Sequence, residues 1–464
     1  MQDTSDMGRE AALAELAELL GPKGFLRDPA DLDRHATDAS GARFGLPLAV
    51  LRPVDTAECA AAVTICARAG LAMVPQGGRT GLSAGACPPE GAVVISTLRI
   101  GGIRVDPGAM TVTAGAGVAL QQVQEAALSL GLCYPVDIGA RGSATIGGTV
   151  ATNAGGVRVL RHGMTRRHVL GLEAVLPEGR VVSRMNGLLK DNAGYDLSQL
   201  FIGSEGTLGI ITRVLLQLRP DEPANALTLL AFPDHAAALD CLAQARRRFG
   251  ERLSAFEGMW PDYWEAVCHR WGLVTSPFQA NHGFYALMEL TGPDADAVAG
   301  LEDWLGDRME EGLILDGTIA RSGEEERRLW AIRHAVGEVD AAMGPHISFD
   351  LSTAPGDLDR FCDALDGLLQ RCSAATGWFK VGHIGDGNVH LLVAHDGSAA
   401  AIHRIEEVVY THTGHAGGSV TAEHGIGRLK REWVSACRSE VSLTMCRSLR
   451  GAIDPSGLMN PGAL

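Results

Sequence analysis

Clusters of glycine with serine, threonine and asparagine constrain this chain more than any other feature. The 464 residues include 58 glycines, and several dense clusters fall in the first half. Gln76-Gly77-Gly78-Arg79-Thr80-Gly81-Leu82 follows a strand-like LAMVP. Asp137-Ile138-Gly139, residues 143–148 (SATIGG), residues 151–156 (ATNAGG) and residues 203–211 (GSEGTLGII) come after it. Consecutive glycines let backbone N–H groups converge on an anion with no side chain in the way, which suits a pyrophosphate. The first loop alone fits a tight surface turn equally well. Its recurrence beside Ser, Thr and Asn favours a long, phosphate-bearing ligand. Neither G-x-G-x-x-G nor G-x-x-x-x-G-K-[ST] occurs, so a dinucleotide would be held by another architecture.

The length predicts two or three domains of roughly 100–200 residues each. Residue patterning predicts helices over residues 9–20, from Thr56, over 119–130 and near 438–452, and strands over 47–53, within 92–120 as short strands, and over 168–183 and 208–218. Pro220 and the polar stretch to Asn225 mark the main boundary. Beyond it, strands (ALTLLAF, GFYALMEL) alternate with helices (HAAALDCLAQARRRF, DADAVAGLEDWLGDRMEE). This predicts an α+β domain, an antiparallel sheet with helices on one face.

Hydrophobic residues make up 46% and charged residues 20%, as in an ordinary globular protein, and the net charge of −15 speaks against a nucleic-acid or anionic-membrane surface. Ten cysteines without a C-x-x-C read as buried thiols in a reducing compartment. The polar, acidic start lacks a signal peptide's pattern, and no apolar run reaches the roughly 20 residues of a membrane span. A cytoplasmic location is expected.

Chemistry concentrates in Gly382-His383-Ile384-Gly385-Asp386-Gly387-Asn388-Val389-His390 and in Ala422-Glu423-His424-Gly425-Ile426-Gly427. On one continuous strand, His383 and His390 would face opposite ways. The Gly-Asp-Gly-Asn turn between them lifts that restriction. Two readings follow: core histidines beside an ordinary turn, or a divalent-metal set completed by a carboxylate. Asp386 reads either as a partner of a ligating histidine or as a turn residue.

PQGGRTGLSAG, SATIGGTVATNAGG and FIGSEGTLGIIT resemble the FAD-binding domain of the vanillyl-alcohol oxidase and p-cresol methylhydroxylase (PCMH) superfamily. The second half resembles that family's FAD-linked oxidase C-terminal domain. The resemblance implies an α+β chain in three parts: a two-subdomain PCMH-type FAD-binding domain over 1–219, an antiparallel-sheet substrate (cap) domain over 220–420, and a C-terminal helical segment, 421–464, returning to the FAD domain. It implies cofactor contacts at Pro75, Gln76, Gly77, Gly78, Arg79, Thr80, Gly81, Ser143, Gly147, Gly148, Thr152, Asn153, Gly155, Gly156, Ile211 and Asn460. Many members tether the flavin to a histidine in or near the first loop. Arg79 stands in that loop here and no histidine does, so non-covalent FAD is expected.

G-H-x-G-D-G-N-x-H and x-E-H-G-I-G resemble signatures of FAD-linked D-2-hydroxyacid dehydrogenases, which include D-lactate, glycolate and D-2-hydroxyglutarate enzymes. This implies a zinc on His383, His390 and Glu423, with His424 as general base. It also gives Arg333 the substrate carboxylate, where position alone suggests a surface arginine on a helix. The long first-half motifs are most similar to the hydroxyglutarate branch. Three substrate positions depart from that branch: Gly337 for Thr, Ser348 for Lys and Leu392 for Asn. They imply a different or more apolar acid. The resemblance further implies an acceptor such as electron-transfer flavoprotein or a quinone, and a homodimer is expected by default. Three rivals are an oxygen-using oxidase of another alcohol or sugar, a zinc hydrolase built on His383, His390 and Glu423, and a flavin carrier without catalysis.

Overall fold

The computed structural model describes residues 2–463. Contacts divide the chain into two compact units. Unit 1 holds the residues up to Gly156, Met164–Asp221, and the chain from Glu423 onward; unit 2 holds Val157–Gly163 and Glu222–Ala422.

Unit 1 contains two main sheets. The smaller runs Phe25–Leu26, Ala49–Leu51, Val93–Ser96, Met73–Gln76, and its last three strands are parallel. Parallel strands need a crossover, and the helix Thr56–Arg68 makes the one from Ala49–Leu51 to Met73–Gln76, which flank Val93–Ser96. Asp55 caps that helix, accepting from the Glu58 N–H at 2.8 Å. The helix buries Cys59, Ala62, Val63 and Cys66 with Val93 and Ile95 of the sheet. The larger sheet is antiparallel, in the order Ile103–Asp106, Thr111–Gly115, Ile210–Gln217, Val169–Val175, Val181–Arg184. It shares a second core with the helix Leu120–Leu128.

Unit 2 is built on seven antiparallel strands, ordered Asp316–Ile319, Ala224–Phe232, Phe284–Gly292, Leu253–Met259, Gly377–Gly382, Asn388–Ala394, His346–Ser352. One face packs Leu227, Leu229, Tyr285, Leu287, Val381 and Leu392 with Tyr263 and Trp264 of the helix Pro261–Glu265 and with Leu329 and Ile332 of the helix Gly323–His334. Phe284 alternates with Tyr285 and so points to the other face. There it meets His235 of the helix His235–Phe249, with ring centroids 5.8 Å apart. Helices therefore cover both faces, where the sequence pattern suggested one. The expected helix over DADAVAGLEDWLGDRMEE is also interrupted: Gly300, at φ 75°, separates a short 3₁₀ turn, Ala295–Val298, from the helix Leu301–Glu310. Residues 157–163 lie within the stretch expected to belong wholly to the FAD domain, yet they cluster with unit 2. Arg158 reaches Glu289 from Nε at 2.8 Å and Nη2 at 3.0 Å, and Arg161 Nη2 donates to Glu222 at 2.8 Å.

All ten cysteines are free thiols, and burial pushes those of Cys59, Cys66, Cys241 and Cys362 up to about 12, which makes them unreactive. Among the described residues, no helix is long and apolar enough to cross a membrane.

Candidate active site

The glycine clusters of unit 1 surround a cavity of about 420 Å³, within the range of ligand sites. Pro75, Gln76, Gly77, Gly78, Arg79, Thr80, Gly81, Gly147, Gly148, Thr152, Gly155 and Ile211 line it. So do Glu423 and His424. The loop 77–81 lies close against the next glycine segment: a Cβ on Gly78 would run into the Ser143 carbonyl oxygen. Thr145 opens the short helix Ile146–Ala151, its hydroxyl accepting from the Gly148 N–H at 3.3 Å. Two of the lining residues, Arg79 (φ 56°) and Glu205 (φ 51°), hold left-handed backbone that is costly for side-chain-bearing residues.

Ser143, Asn153, Gly156 and Asn460 are not among the residues that line the cavity. The Ser143 hydroxyl donates to Ala140 O at 3.4 Å. Asn153 Oδ1 accepts from the Arg166 N–H at 2.9 Å. The Gly156 N–H donates to Glu423 Oε1 at 2.9 Å. Asn460 is 1% exposed and gives both amide hydrogens away, to Gly85 O at 2.9 Å and Glu205 O at 2.8 Å. Its backbone N–H reaches Met73 O at 2.7 Å, which fastens the tail to the strand feeding the first glycine loop.

Glu205 is a residue that motif reading passed over. Its Oε1 accepts from the Ile426 N–H and its Oε2 from the Gly427 N–H, both at 2.7 Å. Burial raises its pKa against the opposing pull of those N–H groups and of Lys430. A Cβ on Gly425, at φ 79°, would stand 2.8 Å from Glu205 Oε1. Gly425 of E-H-G-I-G is thus the space through which Glu205 grips the loop carrying His424.

In unit 2 the chemistry gathers on the sheet face that carries the Tyr263 and Trp264 core. Glu257 stands two residues from Met259 and His390 two from Leu392, so alternation puts each beside that core. The His383 and His390 rings meet edge to face, centroids 5.2 Å apart. Glu257, 1% exposed, accepts from His383 Nδ1 at 2.8 Å and from Arg333 Nε at 2.9 Å. Burial alone would raise its carboxyl; His383 and Arg333 overcome this and hold it below the ordinary carboxylate value. Because Glu257 can only accept, His383 Nδ1 is the donor in this contact. Arg333 is 4% exposed, so it is not the surface arginine its helix position suggested. Tyr263 OH anchors its turn by donating to Ile332 O at 2.9 Å and Arg333 O at 3.2 Å.

Asp350, fully buried, accepts from Asn388 Nδ2 at 2.9 Å, Thr421 Oγ1 at 3.2 Å and the Ala422 N–H at 3.0 Å, and its Oδ1 lies 3.8 Å from His390 Nδ1. Asp386 accepts from the Asn388 N–H at 3.3 Å, within the turn that Gly387 closes at φ 85°. Leu392 is buried among Phe379 and Val381 and pairs across the sheet with exposed Ser348. A Cβ on Gly337, on the helix Val336–Met343, would meet nothing within 4 Å. Sequence reading missed Glu257 as it missed Glu205. The available signal was a carboxylate inside the apolar strand LSAFEGM, since a buried charge must be paired.

Residues 47–184 match the family "FAD binding domain", and residues 222–464 match "FAD linked oxidases, C-terminal domain". A mitochondrial D-2-hydroxyglutarate dehydrogenase of Bos taurus is 37% identical, covering 97% of this chain and 83% of its own. Its Arabidopsis thaliana counterpart is 35% identical, covering 96% and 79%. The solved structure of p-cresol methylhydroxylase with substrate bound shares the fold at TM-score 0.78 and 15% identity, covering 98% of this chain and 96% of that one. The α+β, PCMH-type architecture expected from the motifs is the one found, and FAD is its cofactor. The chain belongs to the FAD-linked oxidases, in the family of FAD-dependent D-2-hydroxyacid dehydrogenases.

Proposed function

We propose that the chain oxidises a D-2-hydroxy acid to the 2-oxo acid with His424 as general base, Arg333 as carboxylate anchor and a divalent metal, zinc by preference, on His383, His390 and Glu423. The observation that carries this reading is that Glu423 and His424 line the same unit 1 cavity as the glycine loops. FAD held by the glycine loops would supply the hydride acceptor at N5, and a metal on His383, His390 and Glu423 would supply Lewis-acid polarisation of the substrate hydroxyl. The protein supplies the rest. A neutral His424 accepts the hydroxyl proton, the part an imidazole plays in general-base catalysis. Arg333 presents a planar fork suited to a bidentate hold on the substrate carboxylate. The Nδ1 proton of His383, given to Glu257, leaves Nε2 suited to a metal, which is the arrangement ligating histidines require. The glycine loops bring backbone N–H groups to the pyrophosphate.

The flavin is non-covalent in this reading: among the described residues lining the cavity the one histidine is His424, the base. Gly337, Ser348 and Leu392 offer no cation to a distal carboxylate, which favours a smaller or more apolar acid than 2-hydroxyglutarate. The acceptor is a soluble carrier such as electron-transfer flavoprotein, or a quinone, and the assembly a homodimer. A cytoplasmic place is part of this reading, whereas the relatives above are named mitochondrial.

The test is His424→Ala, with steady-state turnover measured over a panel of D-2-hydroxy acids that includes D-2-hydroxyglutarate. Loss of kcat by a factor of about 10²–10⁴ with the flavin band retained is expected. An active variant removes His424 as base. A wild type strongly selective for hydroxyglutarate removes the substrate preference.

A further inference from the structure

We infer that Glu257 is a positioning residue that sets metal affinity and substrate-carboxylate affinity together, through one shared carboxylate. The inference rests on the proposed roles of His383 and Arg333 and goes beyond them. Glu257 lies in the interior of the strand Leu253–Met259, where all seven residues are buried. Nothing about an apolar strand requires an acid there, and burying a lone carboxylate is expensive. Its two oxygens are spent on two groups far apart in sequence. His383 Nδ1 lies 2.8 Å from the carboxylate, and Arg333 Nε donates at 2.9 Å. Both partners are themselves buried.

Each contact fixes a different function. On the histidine side, the carboxylate selects the tautomer, orients the ring and raises the basicity of Nε2. Loss of such a partner lowers metal affinity about 10–100-fold. On the arginine side, the bond engages Nε and leaves the terminal Nη groups to face an anion, while Tyr263 holds the backbone carbonyls of Ile332 and Arg333. A guanidinium without this counter-charge would be a buried cation free to turn away from the substrate. Glu257 touches neither metal nor substrate in this scheme. It acts through the two residues that do.

The experiment measures two quantities on each variant: zinc affinity, by titration of the flavin-loaded protein against a chromogenic chelator, and KM with kcat for the preferred D-2-hydroxy acid. Glu257→Gln keeps the volume and removes the charge. Zinc affinity is expected to fall about 10–100-fold, with KM rising in parallel. Arg333→Gln, which leaves the His383–Glu257 bond in place, is expected to raise KM while zinc affinity stays within about threefold of wild type, well short of the loss of a ligand's partner. Because Glu257→Gln strands the Arg333 cation and can compromise folding, Glu257→Gln/Arg333→Gln removes both charges. It is expected to bind FAD and to show the same loss of zinc affinity as the single variant. A double variant that binds zinc as tightly as wild type overturns the inference. A wild type that takes up no zinc overturns the metal reading beneath it, a different result on a different protein.

Discussion

At the scale of single residues, two carboxylates stand out: half-buried Glu205, inside the F-I-G-S-E-G-T-L-G-I-I-T motif but given no role by it, and buried Glu257, outside any motif. Glu205 holds the loop after His424, and Glu257 holds His383 and Arg333. Gly425 gives the sharpest test of the first. At φ 79° and 2.8 Å from Glu205 Oε1, a Cβ meets both backbone strain and a carboxylate. Gly425→Ala is expected to cost about 1–2 kcal/mol from the left-handed backbone alone, and more from displacing Glu205. Gly306→Ala is the control. It lies within the helix Leu301–Glu310 with no atom within 4 Å of a new Cβ, and is expected to stabilise by about 0.4–1 kcal/mol. Urea unfolding of the two variants beside wild type checks both signs; a neutral Gly425→Ala would mean that Glu205 does not confine this loop. What was legible here followed local need. The glycine motifs announce their backbone conformation within a few residues. Glu257 meets its partners across separations of 76 and 126 residues, and no local pattern records such a meeting.

At the scale of elements, strands and helices follow their patterns where one face is apolar and the caps are local. Asp55 at the start of Thr56–Arg68 and Asp234 at the start of His235–Phe249 are both readable as caps. The side of the sheet on which each helix of unit 2 lies was not readable, because both strand faces are apolar and alternation then carries no signal. The Pro261–Glu265 helix shows what fixes it. Trp264 stacks on Tyr285 with ring centroids 3.7 Å apart and an interplanar angle of 8°. Trp264→Ala is expected to cost about 3–5 kcal/mol, read from the urea midpoint. On the opposite face, His235 packs near Trp260 and Phe284, and burial lowers its pKa despite Asp363, Asp359 and Asp234. A depressed histidine stabilises the fold fully above its unfolded value of about 6.5, and that contribution is lost as pH falls through the lower folded value. Wild type is therefore expected to lose more stability between pH 7.5 and 5.5 than His235→Phe does. Equal losses would show that His235 titrates normally.

At the scale of the whole molecule, the chain passes between its two units four times, at residues 156/157, 163/164, 221/222 and 422/423. The short excursion at 157–163 left no compositional mark; it is specified by Arg158 and Arg161 finding Glu289 and Glu222 in distant sequence. The last passage separates Ala422, tied to Asp350, from Glu423, tied to Gly156. One short motif thus begins in unit 2 and ends in the wall of the unit 1 cavity, which is why A-E-H-G-I-G carries so much of the functional reading. The most direct test of that reading is the visible spectrum of the metal-replete, flavin-loaded protein under anaerobic titration with paired D- and L-2-hydroxy acids. The account predicts that a D-isomer bleaches the flavin band at one equivalent and that its L-isomer leaves the band unchanged. A flavin that no D-2-hydroxy acid reduces, or that both isomers reduce alike, would contradict it.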